Sequence, residues 1–353
     1  MAWSKERIQL DNGLFADAQA PEIISASRST DIPAFYADWF FDRMKKGYSA
    51  WTNPFNGTKS YVSYGKTRFI VFWSKNPKPL LKHLDYLKER GINCYIQYTL
   101  NDYDDERLEK GVPKVAERIE TFKALVDKMG KSHIIWRFDP LILTDTIDID
   151  LLLKKIEGVA RQLAGYTDKL VFSFADILAY RKVKANLEAT HIKYRDWTIQ
   201  EMNQFAAKLS EMNKQWGFTI ATCGEKIDLD KYHIAHNHCV DDDLMVQIAW
   251  KDPVLMKFLG VEIHEHEADL FGGDPTPKGA IVLDDSHYAI KKKNNKDKGQ
   301  RQFCGCIISK DIGEYNTCPH LCEYCYANSS KETAIRNWQM HRNTPDADTI
   351  TGK

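Results

Sequence analysis

The sequence carries no surplus of either charge: Lys plus Arg and Asp plus Glu both number 49 in 353 residues, a net charge of +0 at pH 7. A chain without a bulk positive field has no general electrostatic footprint for nucleic acid, though it can still hold a local patch. No apolar stretch approaches the ~20 residues a membrane-spanning helix needs. Met1-Ala2-Trp3-Ser4-Lys5-Glu6-Arg7 also lacks the apolar segment of a secretory leader. These absences predict a cytoplasmic protein with no membrane partner. No glycine-rich fingerprint follows the first predicted strand, which disfavours a doubly wound dinucleotide fold. Internal repeats and low-complexity segments are missing too.

What the chain does have is 43% hydrophobic residues, enough for a large core, and eight cysteines. In a reducing compartment so many cysteines argue for metal or redox chemistry over a disulfide framework. Cys318, Cys322 and Cys325 form a CxxxCxxC run, Cys318-Pro-His-Leu-Cys322-Glu-Tyr324-Cys325-Tyr-Ala-Asn328, that supplies three thiolates and no evident fourth. Three thiolates can hold three irons of a [4Fe-4S] cluster and leave the fourth iron open; a structural zinc site usually shows CxxC pairs and four ligands. Of the others, Cys223, Cys239, Cys304 and Cys306 form a second candidate set, for either a second [4Fe-4S] cluster or Zn. Cys94 reads as an ordinary core cysteine.

Apolar runs rich in β-branched and aromatic residues recur at 22–28, 48–53, 68–74, 93–100, 133–138, 169–174 and 217–223. Their near-continuous hydrophobicity, as in Phe69-Ile70-Val71-Phe72-Trp73, fits parallel strands buried on both faces. Helix signals fall between them: Asp31 and Pro33 open one through about Lys46, Asn76 and Pro77 one through Arg90, Pro113 precedes Val115 to Met129, and Thr198 with Glu201 forms a capping box for a helix to Trp216. The alternation predicts an α/β fold, a (β/α) barrel or partial TIM-like barrel, with a C-terminal cysteine-rich segment. The expected division is a barrel over 1–240, a helical and loop insertion over 241–302, and an iron-sulfur segment over 303–353 closing the barrel. Residues 241–271 read as helical, and His264-Glu265-His266 as a polar helix face.

Polar residues collect at the predicted strand ends. They are Ser27, Arg28, Thr30 and Asp31; Asn53; Lys75 and Asn76; Gln97 and Thr99; Arg137 and Asp139; Ser173 and Asp176. Polar groups on doubly buried strands either line a cavity or pair with each other, for example Arg28 with Asp31 or Arg137 with Asp139. We take Arg28, Asp31, Lys75, Arg137 and Asp139 as candidate catalytic residues and Asn53, Thr99 and Ser173 as candidate cofactor contacts.

Two segments carry resemblances. Ile24-Ser-Ala-Ser-Arg28-Ser-Thr-Asp-Ile-Pro33-Ala-Phe-Tyr36, Trp73-Ser-Lys-Asn-Pro77, Trp136-Arg-Phe-Asp-Pro140 and the cysteine run resemble an uncharacterised prokaryotic domain-of-unknown-function family along nearly the whole length. The cysteine spacing, with Thr99-Leu100 through Pro113, Glu117-Arg118-Ile119 and Arg137-Phe138-Asp139-Pro140, is similar to radical S-adenosylmethionine (SAM) enzymes of the spore photoproduct lyase type. This resemblance implies a SAM cofactor chelated at the open iron and cleaved to a 5′-deoxyadenosyl radical. It also implies Tyr324 against the adenine, a small-molecule or nucleic-acid-derived substrate, and an electron donor such as flavodoxin or ferredoxin. The chain departs from such enzymes in two ways. Its cysteine run follows the last strand instead of the first, which suggests either a circular permutation with 304–309 as the displaced strand or a tail folded back over the barrel, and it has no GGE-like motif. The alternative readings are a non-catalytic metal-stabilised or electron-transfer protein, and a nucleic-acid-binding protein whose cluster is structural.

Overall fold

The computed structural model describes residues 3–53, 56–266 and 276–352. Its centre is an eight-stranded, all-parallel sheet. In chain order the strands are β3 (Ile23–Ala26), β6 (Phe69–Ser74), β7 (Asn93–Thr99), β8 (Ile134–Leu141), β10 (Lys169–Phe174), β12 (Thr219–Thr222), β13 (Ile234–His236) and β17 (Lys310–Asp311), in the spatial order β13-β12-β10-β8-β7-β6-β3-β17. Six of the seven expected strands lie in this sheet. The seventh does not: β4 (Tyr48–Thr52) pairs antiparallel with β5 (Lys59–Ser63) in a separate four-stranded sheet, alongside the hairpin of β1 (Lys5–Gln9) and β2 (Phe15–Gln19). Strand β1 of this sheet alternates exposed and half-buried positions, as a sheet with one wet face does. Two short strands, β9 (Leu143–Thr144) and β11 (Tyr194–Arg195), pair with each other outside these sheets.

Helices cover the outer face of the parallel sheet. They are α1 (Ile32–Phe35), α2 (Ala37–Lys46), α3 (Leu84–Glu89), α4 (Val115–Met129), α5 (Ile149–Leu163), α6 (Arg181–Ala189) and α7 (Ile199–Asn213). Helix α5 shows why they stay there: Ile149, Leu152, Leu153, Ile156, Val159, Ala160 and Leu163 are buried at helical spacing, and the Asp148 side chain caps its N-terminus. Thr198 and Glu201 form the capping box of α7, as expected. The main core joins this helical layer to the outward side chains Ile70, Phe72, Ile96, Trp136 and Phe172.

The other face of the sheet is filled differently. Ile23, Phe69, Val71, Tyr95, Ile135 and Val171 pack on α8 (Asp242–Ala249), α9 (Pro253–Leu259) and the small antiparallel sheet of β14 (Val261–Glu265), β15 (Ile281–Val282) and β16 (His287–Lys291). The helical expectation for 241–271 therefore holds only as far as Leu259. Val261–Glu265 is a strand whose β-branched residues pair with His287–Lys291, so His264 and Glu265 belong to a sheet. Residues 267–271 lie outside the described residues. Strand β17 then adds parallel to β3, with Lys310 opposite Ile24 and Asp311 opposite Ser25. The edge strands β13 and β17 form no ladder with each other among the described residues; near that seam a single backbone bond, from Ile307 N to Val240 O at 3.0 Å, joins the segments flanking them. Helix α10 (Lys331–Asn343) follows the cysteine run and packs Trp338 and His341 edge-on or stacked around Tyr36.

Candidate functional site

The segment after β17 crosses the ends of the sheet where β3, β6 and β7 finish. Backbone contacts fix its path. Thr30 Oγ1 donates to Glu314 O at 2.9 Å, Tyr36 Oη to Thr317 O at 2.5 Å and Trp51 Nε1 to Gly313 O at 2.9 Å. The loop after β7 clamps the cysteine run from the other side: Gly111 N donates to His320 O and Glu323 N to Leu108 O, both at 2.9 Å. A Cβ on Gly111 would stand 2.6 Å from Pro319 O and 2.8 Å from His320 O, so only glycine permits this approach.

Cys318, Cys322 and Cys325 thus share one loop over the strand ends. Cys322 is buried and the other two nearly so, and no hydrogen bond links any pair of the three sulfurs among the described residues. Burial pushes all three thiols above their ordinary range, with Lys75 opposing it at Cys322 and Cys325. Backbone N–H groups of His320 and Asp31 point at the Cys318 sulfur, and those of Asn328 (3.4 Å) and Ala327 at Cys325. His320 is the other potential ligand in the run. Both of its ring nitrogens are engaged, Nε2 with Asp31 Oδ2 at 2.8 Å and Nδ1 with Gly111 O at 3.1 Å. The donor set is therefore three thiols, which fits three irons of a cubane and falls one short of a structural zinc.

Beside the trio lies a buried polar network. Lys75 Nζ reaches Glu109 Oε1 at 2.7 Å and Tyr324 Oη at 2.9 Å; Tyr324 Oη also donates to Glu109; and Asn101 Nδ2 bonds Glu109 at 2.9 Å and Tyr324 Oη at 3.0 Å. Arg118, fully buried on α4, sets Nη1 3.6 Å from Glu109 Oε2 and donates to Asn101 O at 2.8 Å. Burial alone would raise the Glu109 carboxyl, but the Lys75 and Arg118 cations outweigh it and hold the group at about 2. Tyr324 is locked into this network by its hydroxyl, with its ring edge-on to Tyr103.

The strand-end residues divide between two places. Asp31 caps α1 through Ala34 N and accepts from Lys75 N at 2.7 Å and from His320, so it positions the trio's loop. It does not pair with Arg28, whose partner is Asp311 at 3.7 Å, because β17 brings Asp311 alongside. Arg137 and Asp139 do pair, and Ser173 donates to Asp139. Thr99 ends β7 opposite Arg137. Asn53 directly follows β4, in the separate four-stranded sheet.

Arg137 leads to the second cysteine set. Its guanidinium, 3% exposed, donates from Nη1 to Gln97 Oε1 and to Cys239 Sγ, both at 3.0 Å. Cys239 Sγ lies 3.2 Å from Cys223 Sγ, with Cys306 and Cys304 near by, and among the described residues no three of these four sulfurs lie within 4.8 Å of one another. Hydrogen bonding from Cys223 and Cys306, helped by Arg137, holds Cys239 well below the ordinary thiol range, and hydrogen bonding from Cys306 draws Cys304 down to about 6. Cys94 is buried in β7, apart from both sets.

Sequence reasoning did not single out Asn101, Glu109, Arg118 or His320. Asn101 and Glu109 sit in a polar loop that reads as solvated, and Arg118 and His320 were quoted only as parts of motifs. A pocket of ≈ 500 Å³ lined by Tyr180, Arg181, Lys182, Tyr315, Asn316 and Tyr326 opens next to the trio, with Lys182 over the Tyr315 ring at 5.5 Å.

A family model described as "Domain of unknown function (DUF1848)" matches residues 23–327. No curated protein and no solved structure matches the chain.

Proposed function

The chain belongs to the DUF1848 family, and we propose that this member is a radical SAM-like enzyme built around Cys318, Cys322 and Cys325. One observation carries the reading. Three thiols share a single loop over the parallel strand ends, two of them, Cys318 and Cys325, facing backbone N–H groups, while the neighbouring imidazole is occupied and supplies no fourth ligand. When bound, a [4Fe-4S] cluster with one open iron supplies the electron that splits SAM and starts radical chemistry on a substrate.

The protein's own groups define the surroundings of that loop. Lys75, fixed by Glu109 and Tyr324, presents a buried ammonium close to the thiols, where it offsets the charge that metal-bound thiolates bring. Gly111 and Leu108 hold the loop through its backbone, so its position does not depend on the cysteines themselves. Strand β17 precedes the cysteine run and pairs with β3, which gives the strand-then-cysteine-loop order of radical SAM enzymes at the far end of the chain, as a circular permutation would. The strand that this reading takes as displaced is Lys310–Asp311, in place of the expected 304–309.

The pocket beside the trio supports a planar, anionic substrate such as a nucleotide unit of a nucleic acid: Tyr180, Tyr315 and Tyr326 offer faces for stacking, and Arg181 and Lys182 offer charge. Among the described residues no helix is long and apolar enough to cross a membrane. The test is anaerobic purification and cluster reconstitution, followed by reduction with dithionite in the presence of SAM. The expected result is a brown protein that releases 5′-deoxyadenosine. A protein that holds its iron but leaves SAM intact would sink the enzymatic reading and favour electron transfer.

A further inference from the structure

Cys223 directly follows β12 and Cys239 lies just past β13, yet their sulfurs are 3.2 Å apart. A disulfide bond is about 2.05 Å long, so side-chain movement on the order of 1 Å joins them. The two cysteines differ in partners and in access. Cys239 is 5% exposed, and its sulfur receives Arg137 Nη1 at 3.0 Å and Asn237 Nδ2 at 3.4 Å. A neutral thiol is a weak acceptor, so a buried guanidinium and an amide aimed at one sulfur suit a thiolate. Cys223 is half-buried and can be reached from outside. Arg301, itself exposed, packs so closely on Gly224 that a Cβ there would stand 2.6 Å from its Nη2, which sets a cation beside Cys223 where an anionic reagent would enter. One sulfur is thus held as a nucleophile and base, and the other is open to attack.

We propose that Cys223 and Cys239 are a redox-active dithiol that a low-molecular-weight disulfide such as oxidised glutathione converts to a disulfide, locking the edge strand β13 to β12. Cys223 gives its proton to the Cys239 thiolate as its own sulfur attacks one sulfur of the reagent and expels the other half as a thiolate. Cys239 passes that proton to the expelled thiolate and attacks the Cys223 sulfur, which releases the second half as a thiolate. The dithiol loses two electrons and the reagent gains them. Arg137 decides what kind of disulfide results: a dithiol whose reduced form is stabilised makes a readily reduced bond, unlike a structural one. The topology decides what the bond does. Strand β13 ends the parallel sheet and pairs with β12 through Ile220 with Ile234, Ala221 with Ala235 and Thr222 with His236 alone. So short an edge has little to hold it, and a link from Cys223 to Cys239 closes it just past the last pair. The inference does not rest on SAM cleavage.

The test equilibrates the full-length chain anaerobically with glutathione buffers of rising oxidised fraction, alkylates the remaining free thiols and reads the peptides by mass spectrometry. A Cys223–Cys239 linkage should form as the oxidised fraction rises and revert in reduced glutathione. Thiols that stay free in fully oxidised buffer, a linkage to Cys304 or Cys306 instead, or a linkage that reduced glutathione leaves intact would each overturn the proposal. Cys239→Ser should stop the reaction halfway, with Cys223 joined to glutathione; an unmodified Cys223 contradicts the order of attack. Metal is measured on the variant Cys318→Ala, Cys322→Ala, Cys325→Ala, where stoichiometric iron or zinc would show that the pair ligates a metal and refute the dithiol; the linkage itself is read on the wild-type chain and does not need that variant to fold. Hydrogen exchange then tests the lock. Oxidation should slow exchange of the Ile234–His236 amides about tenfold or more and leave β7 unchanged, and unaltered exchange at β13 would show that the bond does not hold the edge.

Discussion

The two cysteine sets differ in how they are made. The trio lies on one loop of eight residues, its sulfurs kept apart and its position fixed by backbone bonds from Leu108, Gly111 and the β3 end. The other four cysteines come from three distant stretches, with Cys223 and Cys239 3.2 Å apart and a buried guanidinium donating to Cys239. A loop of the first kind can take up and lose a reactive cofactor without disturbing the core. An arrangement of the second kind cannot be disturbed without moving the chain segments that meet there.

The sharpest way to break this contrast is Cys322→Ala. We expect loss of essentially all cluster iron and of SAM cleavage, with far-UV circular dichroism unchanged; secondary structure lost together with the iron would show that the trio's loop is part of the core. Next comes Glu109→Gln, which leaves the Lys75 and Arg118 cations buried without their carboxylate. A carboxyl at about 2 against an ordinary 4.5 corresponds to roughly 3 kcal/mol. Because the folded value lies below the unfolded one, that stabilisation is complete above about pH 4.5 and is lost as pH falls towards 2. Urea midpoints of wild type and variant should therefore lie furthest apart near neutrality and converge in acid. A gap that is the same at pH 3 and pH 7 would contradict the ion-pair account.

A smaller effect is expected from Arg137→Met, which removes the donor to Cys239 while keeping much of the apolar stem. Without the guanidinium the Cys239 thiol should ionise at higher pH, read as slower alkylation of Cys239 at neutral pH, with the trio's iron unaffected. The mildest change is Thr198→Ala at the capping box of α7, which touches neither set. About 1 kcal/mol of stability should be lost in urea, with the trio's iron retained. Any change in iron content there would mean that the trio reports global stability rather than local geometry.

Much of the parallel sheet could be read from the sequence, because strands buried on both faces leave unbroken apolar runs; β6 and β10 fall within one residue of their expected ends. Helices α4 and α7 could be read from Pro113 and from Thr198 with Glu201. The N-terminal hairpin was not among the expected strands: Asp11-Asn12-Gly13 is a turn signal, but short strands with one wet face carry weak patterns. Tyr48–Thr52 has the composition of a buried strand, and nothing local tells which sheet it joins. The trio announced itself by spacing. Glu109, Asn101 and Arg118 did not, because a buried ion network in a loop looks like solvated charge until the fold closes over it.

The pairing of Lys310–Asp311 with Ile24 and Ser25 also has a consequence for how the chain is made. During synthesis β3 emerges early, yet its neighbour on one side is translated only some 285 residues later. The growing sheet therefore waits with one edge unpaired, a surface that invites pairing with other chains. The same late stretch brings the cysteine run, so an unfinished chain on the ribosome has the scaffold but cannot yet carry the cofactor.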